Sequence, residues 1–412
     1  MRTQTDTAPS RTIQPDDASS SAMRKIRALL ANSRHGTLTL QTPEGQTRVY
    51  GSGQAPHGMI TVHDTAVFEM TLKSGDIGFA EAYIQRLWTT PDLSQLLQWA
   101  LVNRHALEAA IYGHWWGRLY YLFRHWSRRN TRANSERNIH AHYDLGNYFY
   151  RLWLDPSMNY SSAWFQSDTT QPMQQAQQAK MARALEQAGV RAGTGQRVLE
   201  IGCGWGAIAE MGAGVLGARM TGVTLSHEQL AWAQQRLAAL NLQADLRLQD
   251  YRDISDGPYD AIVSIEMLEA VGQAFWPTYF KAVHRLLKPG ARACIQTIVI
   301  QDELFDRYIR GTDFIQQYIF PGGCLPSPTR FKQAAQNAGL VVEESFGFGR
   351  DYAHTLRLWR HDFMARREEV LALGFDEPFI RTWEFYLAYC EAAFEQGSTD
   401  VVQYTLLRPD AT

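Results

Sequence analysis

The sequence predicts an α/β protein in which an open, mostly parallel sheet with helices on both faces follows a small α+β domain. Five strand-like segments alternate with helical segments from residue 195 onward, and a glycine-rich loop directly follows the first strand. Such alternation is typical of parallel sheets, whose ligands bind at the carboxyl ends of the strands. The last segments break the alternation, which predicts a closing antiparallel hairpin with a helical insertion.

The composition narrows the classes of function. The 412 residues are 45% hydrophobic and 20% charged, with a net charge of −2. This composition is globular, and about 150 residues per domain predicts two or three domains. Nucleic-acid binding driven by bulk charge is not expected without a global basic field. The four cysteines form no CxxC pair, so we expect no disulfide framework, no metal site and a cytoplasmic location.

The first domain is expected at residues 23–111, after a polar, disordered tail at 1–22. The tail has no apolar core, so it is not expected to be a secretory signal. A short helix is predicted at 23–31. Alternating residues on either side of a Pro- and Gly-containing turn predict a hairpin at 37–50. Apolar residues at helical spacing predict helix over 77–103.

A basic, aromatic segment at residues 112–137 separates the two halves of the chain. Aromatic side chains alternate with arginines there, and Glu136 is its single acid. This pattern predicts peripheral contact with the inner face of a membrane. A linker helix packed between two domains, with solvated arginines, is the alternative. No run reaches the roughly 18 apolar residues of a transmembrane helix.

The predicted sheet lies within residues 138–412. Its first five strands are expected at 196–201, 219–223, 244–248, 260–265 and 291–300. The clearest helices between them are 226–240, with Ser226 as N-cap, and 275–287, ended by Lys288, Pro289 and Gly290. The closing elements are a strand at 341–348, a helical block at 355–396 and a strand at 401–407.

The first strand runs directly into a glycine loop, Gly202-Cys203-Gly204-Trp205-Gly206. Glycines at alternate positions allow a sharp turn and a close approach of the backbone to a ligand. The order strand, loop and helix therefore predicts a nucleotide-type site. The loop also satisfies G-x-G-x-x-A, so a dinucleotide stays open at this point, although no acid ends the second strand at 223–226.

Further stretches, together with the glycine loop, resemble the cyclopropane-fatty-acyl-phospholipid synthase family. The matching stretches lie at 142–147, 160–164, 222–226, 249–253 and 318–327. The resemblance implies a class I methyltransferase domain with a Rossmann-like, seven-stranded sheet and a helical lid or insertion. It also implies that the cofactor is S-adenosyl-L-methionine.

The resemblance assigns a set of cofactor-binding residues. Gly202 and Gly204, with Trp205 beside them, would contact the amino-acid portion, and Tyr160 and Ser161 would hold its carboxylate. Thr224 and Gln229 would bind the ribose hydroxyls. Tyr251 and Arg252 would border the adenine, and His142 and Tyr143 would close over the site.

The reaction that the resemblance implies is transfer of a methyl group to a cis double bond in a phospholipid acyl chain. Attack by an alkene leaves a carbocation, so the site must exclude water and stabilise the positive charge. Aromatic faces can do this by cation–π attraction. The aromatic candidates are Tyr352, Trp164 and Phe320.

The sequence departs from the family at the bicarbonate that serves as base. Glu269, Tyr352 and the backbone of Ile298 match the family's ligands, but Ser162 replaces a Cys and Gln296 replaces a His. The Ser162 hydroxyl can still donate a hydrogen bond, but Gln296 cannot carry positive charge, so we expect bicarbonate to bind less well or in another pose. Glu266, three residues before Glu269, is expected on the same side of a helical turn. It is an additional catalytic candidate, because two nearby carboxylates raise one pKa. A plain helix N-terminal acid is the alternative for Glu266.

Several alternatives stay open. The product is either a cyclopropane or a methyl- or methylene-branched chain. Other candidate functions are a small-molecule N-methyltransferase and a cofactor-binding lipid sensor with an impaired centre. A phospholipid and a membrane surface are the expected partners, and a homodimer is a candidate assembly.

Overall fold

The structure is a computed structural model that describes residues 21–107 and 145–410. The basic, aromatic segment at 112–137, residues 1–20 of the expected tail, and the candidates His142 and Tyr143 lie outside the described residues. The domain limits expected at 111 and 137 therefore stay predictions. The first helix begins at Ser21, inside the tail that was expected at 1–22.

The first unit is a four-stranded sheet covered by helices. Its strands are β1 (Thr37–Gln41), β2 (Thr47–Gly51), β3 (His57–Val62) and β4 (Trp88–Thr89), in the order β2-β1-β3-β4. Its helices are α1 (Ser21–Leu30), α2 (Ala66–Ser74), α3 (Asp76–Ile84) and α4 (Leu93–Val102). The predicted hairpin is present, since β1 and β2 pair antiparallel.

The single helical stretch predicted at 77–103 was wrong. Arg86 has a positive φ of 61°, which ends the first helix, and β4 follows it. The indole of Trp88 donates to the carbonyl of Phe79 at 3.0 Å, which anchors the turn. Asp92 then caps α4 by accepting from the backbone N–H of Gln95 at 3.0 Å.

The second unit is a seven-stranded sheet in the order β10-β11-β9-β8-β5-β6-β7. Its strands are β5 (Arg197–Ile201), β6 (Arg219–Thr224), β7 (Asp245–Leu248), β8 (Tyr259–Ile265), β9 (Leu287–Ile300), β10 (Val341–Gly347) and β11 (Thr399–Leu407). The strands β5 to β9 pair in parallel, and β11 is antiparallel to both β9 and β10. The doubly wound sheet and its closing hairpin are confirmed.

Helices cover both faces of this sheet and form the insertion before β11. They are α5 (Asn147–Arg151), α6 (Met173–Gln187), α7 (Ala207–Gly214), α8 (His227–Ala239), α9 (Trp276–Leu286), α10 (Asp302–Tyr308), α11 (Phe314–Tyr318), α12 (Pro328–Asn337), α13 (Gly349–Ala365), α14 (Arg367–Ala372) and α15 (Glu377–Glu395). Short 3-10 turns lie at Tyr251–Asp253, Leu268–Ala270 and Gln273–Phe275.

The helical block predicted at 355–396 starts earlier and is interrupted. Its first helix, α13, begins at Gly349 and therefore carries Tyr352. A glycine at 374 with a φ of 95° turns the chain before the last helix. Asp376 caps α15 by accepting from the N–H of Phe379 at 2.8 Å.

The first unit packs directly against α11 and α15 of the second. The Tyr83 hydroxyl donates to Glu384 at 2.6 Å, and Gln396 donates to Gln98 at 3.0 Å. The Asp76 carboxylate accepts from the Phe314 N–H at 3.2 Å. These polar contacts surround a shared hydrophobic core, so the two units enclose space between them.

Candidate active site

The glycine loop leaves the end of β5 in a conformation that side chains resist. Gly202, Gly204 and Gly206 have φ values of 85°, 49° and 83°, in the left-handed region that favours glycine. A Cβ at Gly204 would meet no atom within 4 Å, whereas one at Gly202 would touch Met267. The loop backbone at Gly204 therefore faces open space.

That space is a cavity at the carboxyl ends of β5 to β8. Its walls include every cofactor candidate from the sequence that lies in the described residues: Tyr160, Ser161, Gly202, Gly204, Trp205, Thr224, Gln229, Tyr251 and Arg252. We refer to it as the cofactor cavity. The structure thus brings together residues that are up to 92 positions apart (252 − 160) in the sequence.

Local contacts hold the two residues expected at the ribose. Ser226 caps α8 by accepting from the Gln229 N–H at 3.3 Å, as predicted. The Thr224 hydroxyl donates to Gln229 Oε1 at 3.1 Å, which fixes the amide at the cavity wall. At the opposite rim, Arg252 forms two hydrogen bonds to Asp250, of 2.8 and 2.5 Å, so its guanidinium is already neutralised.

Glu200, at the end of β5, tests whether this cavity suits the cofactor. Its side chain is buried at the wall, and its Oε2 atom has no hydrogen-bond partner in the described part of the chain. Burial raises its pKa. A buried acceptor of this kind fits the ammonium group of an amino acid. The polar groups of this wall therefore fit S-adenosylmethionine. Glu200 lies in the strand predicted at 196–201, but the sequence analysis did not select it as a site residue.

Lys180 is a second residue that the sequence analysis missed. Its ammonium lies behind the cavity and donates to Ser161 Oγ at 2.5 Å, while Gln177 donates to the Ser161 carbonyl at 2.8 Å. Burial lowers the pKa of Lys180 to about 8, against the attraction of Glu266 and other carboxylates. One sequence feature could have indicated Lys180: Gln177 and Lys180 are one turn apart in an alanine-rich helix, so their side chains lie on the same face.

A second cavity, of about 340 Å³, adjoins the first. Its walls are mainly aliphatic and aromatic and include Ile298, Ile300, Leu304, Phe320, Leu356 and Phe394. Tyr160, Glu266 and Ala270 line both cavities, so the two spaces meet at these residues. We refer to this second space as the acyl cavity.

The structure places two of the three aromatic candidates in the wall of the acyl cavity. Tyr352 and Phe320 lie in its wall. Trp164 was wrongly placed there: its ring packs edge-on against Phe346, with the Arg183 guanidinium 5.9 Å away. The family-like motif indicated an aromatic near the site, but it did not specify the direction of the side chain.

Glu266 is the centre of a hydrogen-bond network at the junction of the cavities. Its carboxylate accepts from the Ser162 N–H at 2.9 Å, from the Gln296 amide at 2.7 Å and from the Tyr352 hydroxyl at 2.6 Å. Its φ is 48°, which is uncommon for a residue with a side chain and is typical of functional sites. Enclosure raises its pKa, while these donors and Lys180 lower it.

The neighbouring carboxylate of Glu269 has different partners. It accepts from the Thr297 hydroxyl at 2.9 Å and from the Ile298 N–H, and its Oε2 atom is buried without a partner among the described residues. Burial, followed by the charge of Glu266, raises the pKa of Glu269 to about 8. This direction agrees with the expectation for two adjacent carboxylates.

Two details differ from the sequence analysis. Glu266 does not lie on a helical turn with Glu269, because it directly follows β8 and precedes the 3-10 turn Leu268–Ala270. It is therefore not a helix N-terminal acid. Ser162 contacts Glu266 through its backbone, since its hydroxyl donates to the Ala163 carbonyl at 2.9 Å.

A glycine loop after the first strand of a seven-stranded sheet with an antiparallel closing strand defines a class I S-adenosylmethionine-dependent methyltransferase. The family model for mycolic acid cyclopropane synthetase matches residues 130–404, and the chain belongs to this family.

Individual relatives agree with this assignment. The chain is 38% identical over 400 residues to the tuberculostearic acid methyltransferase UfaA1 of Mycobacterium tuberculosis, covering 95% of this chain and 92% of the relative. It is 34% identical over 362 residues to the cyclopropane-fatty-acyl-phospholipid synthase of Escherichia coli K12, covering 87% and 89%. The chain is thus an S-adenosylmethionine-dependent enzyme that transfers a one-carbon unit to unsaturated lipid acyl chains.

Solved structures agree with the fold. The crystal structure of mycolic acid cyclopropane synthase CmaA1 complexed with SAH and CTAB has a TM-score of 0.61 at 33% identity, covering 66% of this chain and 97% of that one. Coclaurine N-methyltransferase has a TM-score of 0.62 at 18% identity, covering 80% and 98%, which shows the fold alone. Family membership favours acyl-chain chemistry over both alternatives, the amine methyltransferase and the lipid sensor.

Proposed function

We propose that this enzyme acts on the cis double bond of a phospholipid acyl chain and forms a methyl- or methylene-branched chain, with Glu266 as the base. One observation carries the proposal: the Glu266 carboxylate lies where the two cavities meet and accepts hydrogen bonds from Ser162, Gln296 and Tyr352. All three residues match positions that would otherwise serve an external bicarbonate.

The cofactor would be held by the walls already described. Glu200 would accept from its ammonium group, Ser161 would bind its carboxylate with Lys180 behind it, and Thr224 and Gln229 would take its ribose. When bound, S-adenosylmethionine supplies an electrophilic methyl group. Tyr160 borders both cavities and would separate the cofactor from the lipid until the reacting atoms align.

The acyl cavity would hold the alkene and exclude water. The alkene electron pair forms the new carbon–carbon bond as the methyl carbon leaves sulfur, and positive charge develops on the neighbouring chain carbon. The rings of Tyr160, Tyr352 and Phe320 border this space, and a ring face stabilises such charge by about 0.5–2 kcal/mol. Transfer of the proton on the methyl-bearing carbon to Glu266 then returns that C–H bonding pair to carbon and leaves a methyl-branched alkene. For the methylene branch, a hydride first shifts from this carbon to the cationic carbon, and Glu266 then takes a proton from the new methyl group.

The two glutamates would have different protonation states, with Glu266 ionised and Glu269 protonated. Burial raises the pKa of Glu266, and three hydrogen-bond donors and the Lys180 charge oppose this rise. Of the two glutamates, Glu266 therefore has the partners that stabilise an ionised carboxylate. Glu269, with a pKa raised to about 8 by burial and by Glu266, holds a proton at neutral pH. The pair thus presents one carboxylate to the substrate. The name of the tuberculostearic acid relative, a methyltransferase, favours a branch over a ring.

The experiment supplies the purified enzyme with S-adenosylmethionine and a cis-monounsaturated phospholipid in detergent micelles. We expect release of S-adenosylhomocysteine and a lipid that gains one CH2 unit. Cyclopropane and branched products share one mass, so proton NMR distinguishes them: high-field ring protons indicate a cyclopropane and vinyl or methyl signals a branch. Unchanged lipid would contradict the phospholipid substrate, and ring protons would contradict the branched product.

A second measurement tests the role of the base. The reaction is repeated in buffer freed of carbon dioxide and again with added bicarbonate. If Glu266 replaces the external anion, the rate is the same in both. A rate that requires bicarbonate would contradict the assignment of Glu266.

A phospholipid substrate also requires contact with a membrane surface, and we propose that this contact is peripheral. None of the described helices is long and apolar enough to cross a bilayer. The basic, aromatic segment at 112–137 remains the proposed site of contact. Co-sedimentation of the enzyme with anionic liposomes tests it, with neutral liposomes as the control.

A further inference from the structure

An open, polar groove adjoins the acyl cavity on its first-unit side. The groove, of about 720 Å³, lies between the first unit and the ends of β9 and α15. Leu101, Arg104 and Ser398 line both the groove and the acyl cavity, so the two spaces share a wall. A molecule with an apolar tail and a polar head could therefore occupy both.

The groove is rich in groups that bind a neutral or anionic ligand. Arg104 contributes a permanent cation, and His35 and His105 contribute imidazoles. Gln95 and Gln301 add amide donors, whereas the amides of the other two glutamines in the wall, Gln98 and Gln396, also donate to Ser94 and Gln98. Among the described residues, no carboxylate lines this groove. The donor set suits a phosphate better than an isolated ammonium, which would need an acid partner.

We infer that this groove binds the glycerophosphate headgroup of the phospholipid, with Arg104 on the phosphate, while one acyl chain enters the acyl cavity. The inference rests on the proposed function, since it assumes a phospholipid substrate. It adds that headgroup recognition belongs to the first unit, and that Arg104 positions the lipid without touching the reacting carbons.

Arg104 suits this role because it lines both the groove and the acyl cavity. Its methylenes can pack along an apolar tail. Its guanidinium offers a fixed fork of donors to phosphate oxygens. A hydrogen bond between charged groups contributes about 1.5–3 kcal/mol, equivalent to roughly ten- to a hundredfold in affinity.

The test measures KM and kcat for Arg104→Gln in detergent micelles that contain either a monounsaturated phospholipid or the methyl ester of the same fatty acid. We expect KM for the phospholipid to rise about tenfold or more, with kcat little changed. KM for the methyl ester, which has no phosphate, should stay at the wild-type value. Arg104→Lys should recover part of the loss, because it keeps the charge but not the fork.

A matched control and a second variant separate binding from folding. Arg366→Gln removes an exposed arginine that pairs only with Glu369 in the described chain, and it should behave like the wild type. Gln301→Glu adds a carboxylate to the groove. Its position precedes α10, where an acid is compatible with the helix, so the protein should fold and yet show a raised phospholipid KM.

Competitive inhibition tests whether the groove recognises a glycerophosphate headgroup or any phosphate. Glycerol phosphate should compete with the phospholipid in the wild type and should do so less in Arg104→Gln. If inorganic phosphate competes equally well, the groove is a general anion site and the inference is overturned. Equal losses for both substrates in Arg104→Gln would also overturn it, because they would indicate damage to the acyl cavity. If the wild type methylates the ester but no phospholipid, the proposed function fails instead.

Discussion

The cofactor cavity and the acyl cavity meet at three residues, yet they are constructed in different ways. The cofactor cavity is built almost wholly from loops that follow the strands of one sheet, between residues 158 and 275. The acyl cavity takes one part of its walls from residues 298–325, and the rest mainly from α3 and α4 of the first unit and from α13 and α15 of the second. One site is thus local to a sheet edge, and the other exists only after the two units assemble.

This difference teaches how the enzyme can keep one chemistry and change its substrate. Substitutions in the strand-end loops should alter cofactor binding. Substitutions in the helices should alter lipid selection and leave the cofactor in place. Glu266 is the exception, since it belongs to both cavities.

The largest effect is expected at the shared residue. Glu266→Gln keeps the shape and can still accept hydrogen bonds, but it cannot take a proton. General-base catalysis contributes about 10²–10⁴-fold, so we expect a loss of that size in S-adenosylhomocysteine release with lipid. Glu303→Gln, at an exposed position in α10, is the control. Near-normal turnover by Glu266→Gln would assign the base elsewhere.

The next effect isolates the cofactor cavity. Gly204→Val places a side chain in the open space beside the loop, and we expect about a hundredfold weaker binding of S-adenosylhomocysteine by calorimetry, equivalent to about 2.8 kcal/mol. Gly189→Val is matched, because Gly189 also has a positive φ and open surroundings but lines neither cavity. If both variants lose affinity for S-adenosylhomocysteine to the same extent, backbone strain explains the loss and the cavity does not.

A substitution in the acyl cavity should impair lipid turnover and leave cofactor binding unchanged. Ala393 lies in its wall, so Ala393→Phe should fill part of the space and lower kcat/KM for lipid about tenfold, while S-adenosylhomocysteine binding is retained. Ala239→Phe, at an exposed position in α8, serves as the control. A parallel loss of cofactor binding would show that the cavities are not independent.

The smallest effect concerns stability and pH. The pKa of Glu269 is raised from 4.5 to about 8 in the folded protein, so the folded state holds a proton that the unfolded state releases. Stability from this group is present below pH 4.5 and is lost as the pH rises toward 8.

Glu269→Gln mimics the protonated side chain and should remove this loss. Relative to wild type, we expect the variant to gain on the order of 1 kcal/mol in urea unfolding between pH 5 and pH 8.5. Identical pH profiles would show that Glu269 does not titrate in this range.

The same contrast determines what could be predicted from sequence. The cofactor candidates from Tyr160 to Arg252 came from the family resemblance, and the structure places them around one cavity. Their individual roles stay predictions. The sequence suggested Glu266 as a candidate but could not predict its hydrogen bonds. The orientation of its side chain depends on a left-handed backbone and on three donors from distant segments. Lys180 and the wall formed by α3, α4 and α15 depend on which helix faces become buried, and no local pattern specifies that. Trp164 failed because its motif did not specify the direction of the side chain.

The wall that the α+β unit gives to the acyl cavity, from Ser74 to Arg104, has a consequence for product identity. On the proposed mechanism, removing that unit should open the acyl cavity to bulk solvent. Water would then compete with Glu266 for the cationic intermediate, and an alcohol should appear among the products. Fidelity of the product should thus depend on a part of the chain far from the methyl donor.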